Sequence, residues 1–340
     1  MAKINNQRDL KSKAAIGKKK NFEFMQYFSY SAVIILVAVF TIMNKSFLNA
    51  ANLSNLLNDT APLMIMACGA TMVLILGSVD LSSGAVCSVV NVIIVKLLSE
   101  AFKTTGNIAL ATFLAFGGSL LFGILAGLIL GYIHVRFKIP SFIASLGFMS
   151  VWKSVALLIS AAPVSIPKAL WPAIGWSKIS FSIFGLPFLL AAIVVLAFFI
   201  AQSKTAFGKA VFAIGGNERA ARMAGINIDR MKIMAFVMSG FCSALGSIFL
   251  AAKLKSSAPT VGDTFTLLII ASVALGGTAL SGGKGSVLGT VVGVFIVSII
   301  RNGMNFVGVD VFWQSIVFGI VVIAAVAITI DRSGRLIVVK

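Results

Sequence analysis

The sequence is poor in the residues from which catalytic and metal sites are built. It has one histidine, His134, three cysteines and ten acidic residues among 340 positions. No cluster of His, Cys, Asp or Glu has the spacing of a metal site or an acid–base pair, which argues against a membrane-embedded enzyme. Cys68, Cys87 and Cys242 lie in apolar runs without a Cys-x-x-Cys pair, so they predict packing residues rather than a disulfide framework.

Charged residues are also scarce, at 11% of the chain, whereas apolar residues make up 59% and the mean hydropathy is +1.04. A soluble domain has about 45–50% apolar residues, and a membrane-spanning helix needs about 20 of them in succession. The sequence therefore predicts an all-α polytopic membrane protein with about ten transmembrane helices. The predicted spans are 27–43, 62–77, 81–98, 108–133, 139–161, 183–201, 231–252, 266–280, 286–300 and 313–330.

The polar stretches are too short for a soluble domain. We expect a basic cytoplasmic tail at 1–26, a transmembrane domain at 27–330 with a large inner loop at 202–230, and a cytoplasmic C-terminal tail at 331–340. The first span has a longer apolar core than the roughly 7–15 residues of a signal peptide, so it is expected to stay uncleaved. All seven prolines fall at predicted span starts or in loops, which supports the boundaries.

The net charge of +18 would suit a nucleic-acid binder, but its distribution predicts membrane topology instead. Basic residues crowd the N-terminal tail and the loops on the same side of the ten predicted spans, and fewer lie in the opposite loops. By the positive-inside rule, both termini are expected to be cytoplasmic, and no nucleic-acid partner is predicted.

Glycine patterns indicate close helix packing and an internal echo. Two runs of glycine at four-residue spacing predict smooth helix faces that another backbone can approach: Gly123, Gly127 and Gly131, then Gly285, Gly289 and Gly293. Residues 76–84 also resemble 275–283, each joining two apolar runs. Paired interruptions of this kind are typical of transporters built from two related halves with broken helices near the solute path.

The segment 213–226 is a polar island between apolar runs. Asn217 is expected to cap a short helix, Glu218 suits the helix N-terminus, and Gly225 can end the helix in the left-handed conformation. Because so short a helix is marginal alone in water, its own protein or a partner must hold it. From these residues alone it is either a solvated connector along the membrane surface or a contact site for a soluble partner.

Five segments resemble the permease subunits of ribose-type sugar ABC transporters, in the branched-chain amino acid/sugar permease superfamily. They are 76–84, 139–147, 213–226, 275–285 and 302–308, and the likeness runs from about residue 52 to 330. The resemblance implies a permease domain that moves a monosaccharide, ribose or a similar pentose or hexose, by alternating access in the bacterial plasma (inner) membrane. Nucleoside and autoinducer-2 permeases share this architecture and are alternatives.

The resemblance also implies partners. A cytoplasmic ABC ATPase carrying ATP and Mg²⁺ would bind residues 213–226, which we call the coupling segment. An extracytoplasmic sugar-binding protein would deliver the solute, and a second permease copy or homologue would complete a dimer within the lipid. This chain itself would bind no cofactor or metal. The coupling contacts carried over are Gly216, Asn217, Glu218, Ala221, Arg222 and Gly225. The outer loop 162–182 matches no motif, and is either a docking surface for the binding protein or an interfacial aromatic belt.

Other polar residues leave two interpretations open. Asp80 either caps the helix that follows it or contacts sugar hydroxyls at a gate, and Lys153 either snorkels or lines a watery vestibule. Asparagine and glutamine in spans are either path lining or packing residues, and the candidates are Asn91, Asn302, Asn305 and Gln314.

Two remaining interpretations are weaker. A phosphate loop at Lys284 is excluded because Thr278 and Gly285 stand where the pattern needs Gly and Ser or Thr. An ion-coupled secondary transporter is disfavoured because Asp80 is the only acid deep in the predicted membrane region.

Overall fold

The computed structural model describes residues 29–329, which form a bundle of helices with two short strand pairs. The α-helices are α1 (Ser29–Met43), α2 (Ala50–Ile75), α3 (Ser83–Thr105), α4 (Ile108–Arg136), α5 (Ser141–Ile159), α6 (Leu186–Lys204), α7 (Ala206–Gly216), α8 (Glu218–Met223), α9 (Ile228–Leu254), α10 (Phe265–Leu275), α11 (Val287–Val307) and α12 (Val311–Thr329). Two 3₁₀ helices cover Lys45–Leu48 and Lys168–Lys178. The strands are β1 (Val164–Ser165), β2 (Ser180–Phe181), β3 (Phe184–Gly185) and β4 (Ser256–Ser257).

The predicted fold class is confirmed. Among residues 29–329, seven helices are long and apolar enough to cross a membrane, namely α2, α3, α4, α5, α6, α9 and α11. Shorter apolar helices lie at Ser29–Met43, Phe265–Leu275 and Phe312–Val321, where the remaining spans were expected. The number ten and the cytoplasmic termini stay predictions. The tails at 1–26 and 331–340 lie outside the described residues.

Helix α2 is the central element, with 89% of its most apolar window buried inside the protein. It begins twelve residues before the predicted span and contains Pro62, so the prediction that every proline lies at a span start or in a loop is wrong. Proline is tolerated inside a membrane helix when neighbouring helices surround the interrupted backbone. Here Pro62 is fully covered, and its carbonyl faces Gly246 of α9.

The glycine runs pack as expected in two helix pairs. A Cβ on Gly123 would lie 2.5 Å from the Gly240 carbonyl oxygen of α9, and one on Gly131 would lie 3.0 Å from the Ile233 Cα. In the second run, Gly289 and Gly293 abut α10. Gly285 departs from the prediction, because α11 begins only at Val287 with Ser286 as its N-cap. The close approach therefore joins α4 to α9 and α10 to α11.

The loops gather at two opposite ends of the bundle. One end, which we call the α8 end, contains the segments 76–82, 137–140, 205–227 and 276–286. There the Gly283 amide donates to the Ile75 carbonyl at 2.8 Å. The other end, which we call the strand end, contains the segments 160–185 and 255–258. There β1 pairs antiparallel with β4, and β2 pairs antiparallel with β3. This separation places the predicted inner loop and the predicted outer loop on opposite faces.

The internal echo is visible in the backbone where α2 and α10 end. Gly77 and Gly277 have φ of +82° and +83°, and each donates to the carbonyl three residues earlier at 2.9 Å. Ser78 and Thr278 each donate to the carbonyl five residues earlier, at 3.1 and 3.2 Å. The two helix breaks thus have the same cap, since glycine adopts the left-handed conformation without strain.

Candidate functional site

The coupling segment folds as its sequence predicts. Asn217 is extended, and its Oδ1 accepts a hydrogen bond from the Ala220 amide at 3.1 Å, which caps α8. Gly225 follows the helix at φ +82°, and its amide donates to the Arg222 carbonyl at 3.0 Å. Both ends of this short helix are therefore satisfied by its own residues.

An ion pair ties α8 to the long helix α9. Lys232 Nζ lies 3.0 Å from Glu218 Oε2, and Arg222 lies 3.8 Å from the other oxygen of the same carboxylate. Lys232 is mostly covered, whereas Arg222 projects into solvent. Glu218 therefore positions α8 against the bundle, and Arg222 remains available to a partner.

The two faces of α8 differ in burial. Ala221 is buried in a cluster with Ile75, Ile214 and Phe236, whereas Met223 is 87% exposed. An exposed methionine beside exposed arginines is a surface that a soluble protein can bind, since methionine adapts to varied contacts and arginine is enriched in interfaces. A freely solvated connector is disfavoured, because α8 is anchored to the core.

The C-terminus of α7 brings the coupling segment against both helix breaks. A Cβ on Gly215 would overlap the Ile75 carbonyl oxygen at the end of α2 and the Gly283 amide after α10. A Cβ on Gly283 would lie 2.9 Å from the Gly216 Cα. Three backbones therefore meet without side chains between them, so α7 packs directly on both helix breaks.

Gln202 reinforces this junction and was missed in the sequence. Its side chain is buried, with Nε2 donating to the Gly285 carbonyl at 3.1 Å and Oε1 accepting from the Val287 amide at 2.9 Å. It thereby fixes the start of α11 to the end of α6. In the sequence, Gln202 was recognisable only as a glutamine at the polar end of an apolar span. That pattern does not predict which backbone groups the side chain bonds.

Asp80 lies at the first helix break, but the N-cap prediction for it is wrong. The N-cap of α3 is Ser82, which makes no side-chain cap bond. Asp80 lies two residues earlier, and its Oδ1 accepts from the Ser82 amide at 2.9 Å and from the Ser82 hydroxyl at 2.7 Å. Its Oδ2 accepts from the Ser239 hydroxyl of α9 at 2.7 Å. The buried carboxylate thus joins the break to α9.

We expect Asp80→Leu to lower stability by about 2–3 kcal/mol, because the buried Ser82 amide and Ser239 hydroxyl lose their acceptor. Asp80→Asn keeps one oxygen for Ser82 and should stay close to wild type. Thermal unfolding of the detergent-solubilised protein measures both variants. Equal loss in the two would show that the charge itself, rather than the hydrogen bonds, stabilises the break.

The other predicted path residues make hydrogen bonds within the protein. Asn91 Oδ1 accepts from the Ala258 amide at 2.9 Å, and its buried Nδ2 has no partner. Asn302 exchanges two 3.1 Å bonds with Asn52. Gln314 donates to Asn305 Oδ1 at 2.7 Å and to the Val309 carbonyl. These residues occupy three separate places in the bundle, and a role in the solute path stays a prediction.

A cationic, aromatic cavity of about 390 Å³ lies at the strand end. Lys255 Nζ sits over the Trp171 ring at 4.0 Å, and Lys178 lies 5.9 Å from the same ring. A hydrogen bond from Lys178, desolvation and charge repulsion by Lys178 lower the pKa of Lys255. Such crowded ammonium groups favour an anionic partner. Lys168 also lines the cavity.

Residues 29–329 contain no group of three or more His, Cys, Asp or Glu side chains placed to hold a metal ion. The three cysteines are free and buried, as predicted for packing residues. The ring of His134 is turned to the protein, with Nδ1 2.6 Å from the Ile139 carbonyl oxygen.

Comparison with known proteins gives the family. Residues 52–326 match the family described as branched-chain amino acid transport system / permease component. The chain belongs to this permease family. Its members among curated proteins include the ribose import permease protein RbsC of Bacillus subtilis (strain 168), which is 34% identical over 314 residues, or 90% of this chain and 92% of the relative.

Two further relatives come from Escherichia coli (strain K12). Its ribose import permease protein RbsC is 31% identical over 307 residues, covering 89% of this chain and 93% of the relative. Its galactose/methyl galactoside import permease protein MglC is 30% identical over 337 residues, covering 95% and 99%. No solved structure gives a significant match. The permease is a multi-pass protein of the bacterial plasma (inner) membrane, and the predicted resemblance is confirmed.

Proposed function

We propose that this permease is the membrane subunit of an ATP-driven importer of a monosaccharide, ribose or a similar pentose or hexose. The named relatives import ribose or galactose, and these names support the solute class. ATP and Mg²⁺ act on a separate ATPase, so this chain contributes movement rather than covalent chemistry. Two permeases, identical or related, enclose the path between them.

The observation that carries the mechanism is the direct contact of the coupling segment with both helix breaks. Gly215 touches the backbone of Ile75 and Gly283, and Glu218 and Ala221 hold α8 beside that junction. When the ATPase closes on ATP, a push on α8 passes through α7 to the ends of α2 and α10. The bundle then switches between outward-open and inward-open states, since packed cores prefer discrete arrangements.

The ATPase contact uses the exposed face of α8. Arg222, Arg219 and Met223 project from it, so we expect an acidic, partly apolar groove on the ATPase. Gly216, Asn217 and Gly225 shape the two turns that present this helix, and substitutions there act through its orientation.

Uptake in proteoliposomes tests the proposal. With the permease, its ATPase and its sugar-binding protein reconstituted together, we expect radiolabelled D-ribose or D-galactose to accumulate only with internal ATP and Mg²⁺. Omitting the ATPase should abolish uptake. Accumulation driven by a proton or sodium gradient without the ATPase would instead identify an ion-coupled transporter.

The cavity around Trp171 is proposed to receive an acidic residue of the sugar-binding protein. Replacing Lys178 and Lys255 together by Gln should weaken that association about tenfold and reduce its salt dependence. The matched control is Lys103→Gln, an exposed lysine paired with Glu100 near the same end of the bundle. Surface plasmon resonance on nanodisc-embedded permease measures the affinities.

This association should also weaken with rising pH. The lowered pKa of Lys255 means that its charge is lost at a lower pH than that of an ordinary lysine. We therefore expect the affinity to fall earlier in an alkaline titration for wild type than for Lys255→Arg, whose guanidinium stays charged. Identical titration curves would contradict a contact through Lys255.

A further inference from the structure

An exposed ion pair lies within the membrane-spanning part of the bundle. Lys153 of α5 and Asp263, which precedes α10, approach to 2.8 Å between Nζ and Oδ2. The two side chains are 48% and 35% exposed in the single chain. The sequence left Lys153 between snorkelling and a watery vestibule. It also predicted Asp80 as the only acid deep in the membrane region, which the position of Asp263 contradicts.

The pair lies within the length of α5 rather than at its end. Lys153 is the thirteenth of the nineteen residues of α5, so at about 1.5 Å per residue it lies about 9 Å from the nearer helix end. Its ammonium is held by a short aspartate side chain rather than extended toward that end. Charged groups at such depth face water or protein, because contact with lipid tails is costly.

The surface of α5 around Lys153 is polar as well. Gly147, Ser150 and Ser154 are exposed on this helix, and spacings of three and four residues place them on one face with Lys153. Four of the large exposed apolar residues lie nearer the helix ends, at Phe142, Ile143, Leu157 and Leu158, and Val151 lies near the middle. A helix that faces lipid has its polar residues at the ends, whereas here Gly147, Ser150, Lys153 and Ser154 occupy the central turns beside Val151.

The chain beside this face is not helical. Between β4 and α10 it enters the bundle, where the Gly262 amide donates to Ser88 Oγ at 2.9 Å and Ala258 is bonded to Asn91. Thr260 and Thr264 are exposed next to Asp263. Non-helical backbone at membrane depth occurs only where it is buried in protein or lines an aqueous cavity. The exposed part of 260–264 therefore faces such a cavity.

We propose that the polar face of α5 (Gly147, Ser150, Lys153 and Ser154), with residues 260–264, lines the solute path and binds a neutral, hydroxyl-rich solute. The inference rests on the proposed importer. Serine and threonine hydroxyls can donate to and accept from solute hydroxyls, while Lys153 donates and Asp263 accepts. Because the paired charges cancel, the surface suits an uncharged polyol rather than an anion or a cation.

Cysteine accessibility in the assembled transporter tests where this face points. Ser150→Cys and Ser154→Cys should react with a charged methanethiosulfonate reagent about tenfold faster than Leu121→Cys, which is 57% exposed near the middle of the apolar helix α4. Cys68, Cys87 and Cys242 are buried, so the native background is low. Reaction only with a lipid-soluble maleimide would place the face in lipid, and no reaction with either would place it in a packed interface. Either result would overturn the proposal.

Uptake of radiolabelled D-ribose tests contact with the solute. Lys153→Met and Asp263→Asn should each reduce uptake about tenfold or more while the ATPase stays bound in pull-down. The charge-exchanged variant, Lys153→Asp with Asp263→Lys, keeps the ion pair but exchanges the donor and acceptor. Full recovery of uptake in it would show a purely structural tie and overturn the solute contact.

Different results would refute the importer function and the solute path along α5. A wild-type complex that takes up D-ribose without ATP would refute the importer, whatever the labelling result. A complex with ATP-dependent uptake whose labelled Ser150→Cys and Ser154→Cys forms transport normally would retain the importer and refute this path.

Discussion

The variant carrying Glu218→Lys and Gly225→Val is expected to insert into the membrane but to lose its ATPase. Glu218→Lys turns the ion pair with Lys232 into a repulsion, which frees the start of α8. Gly225 has φ +82°, a conformation in which a β-branched residue is a genuine outlier. The ion pair at the start of α8 and the turn at its end are both disrupted, while Ala221 and the transmembrane helices are left unchanged.

Affinity pull-down of the tagged permease measures this loss, and we expect less than about a tenth of the wild-type ATPase to be recovered. The matched control is Glu218→Gln with Gly225→Asn. Glutamine introduces no repulsion, and asparagine tolerates the left-handed conformation better than other non-glycine residues. Wild-type recovery of the ATPase by the Lys and Val variant would show that α8 is not the contact.

Gly215→Ala is expected to reduce ATP-driven uptake about tenfold or more while the ATPase remains bound. The single added methyl would overlap the Ile75 carbonyl oxygen and the Gly283 amide, so α7 must move away from both helix breaks. Overpacking of this kind costs about 1–3 kcal/mol, which is enough to alter the balance between two states of the transporter. Coupling should fail although α8 itself is unchanged.

Gly117→Ala is the control for Gly215→Ala, because Gly117 is also helical but a Cβ there meets nothing within 4 Å. Uptake by reconstituted complexes and pull-down of the ATPase are measured on both variants. Size-exclusion chromatography separates loss of coupling from loss of folding. Equal uptake by Gly215→Ala and Gly117→Ala would contradict transmission through the glycine junction.

The local structure of the coupling segment could be predicted from the sequence. Asn217 caps α8 and Gly225 ends it because both effects act within a few residues along the chain. The echo between 76–84 and 275–283 likewise appears as two matching backbone caps. In both places, the hydrogen-bond partners lie within five residues of each other along the chain.

Polar residues in the membrane region were harder to interpret. Asp80 was expected either to cap α3 or to contact sugar hydroxyls, yet its carboxylate accepts a hydrogen bond from Ser239, which lies 159 residues away. Lys153 had two open interpretations, and its partner Asp263 is in a different segment. Each such residue has several acceptable partners, and only the packing of α5, α9 and the 255–264 segment selects one.

The sequence by itself determined the membrane class, the order and approximate positions of the apolar helices and the local form of α8, since these follow from hydropathy, periodicity and short-range capping. Tertiary structure alone decided that Gly215 touches both helix breaks, that Pro62 lies inside α2, and that Lys153 pairs with Asp263. These contacts join residues far apart in the chain, and they exist only once the helices have packed against one another.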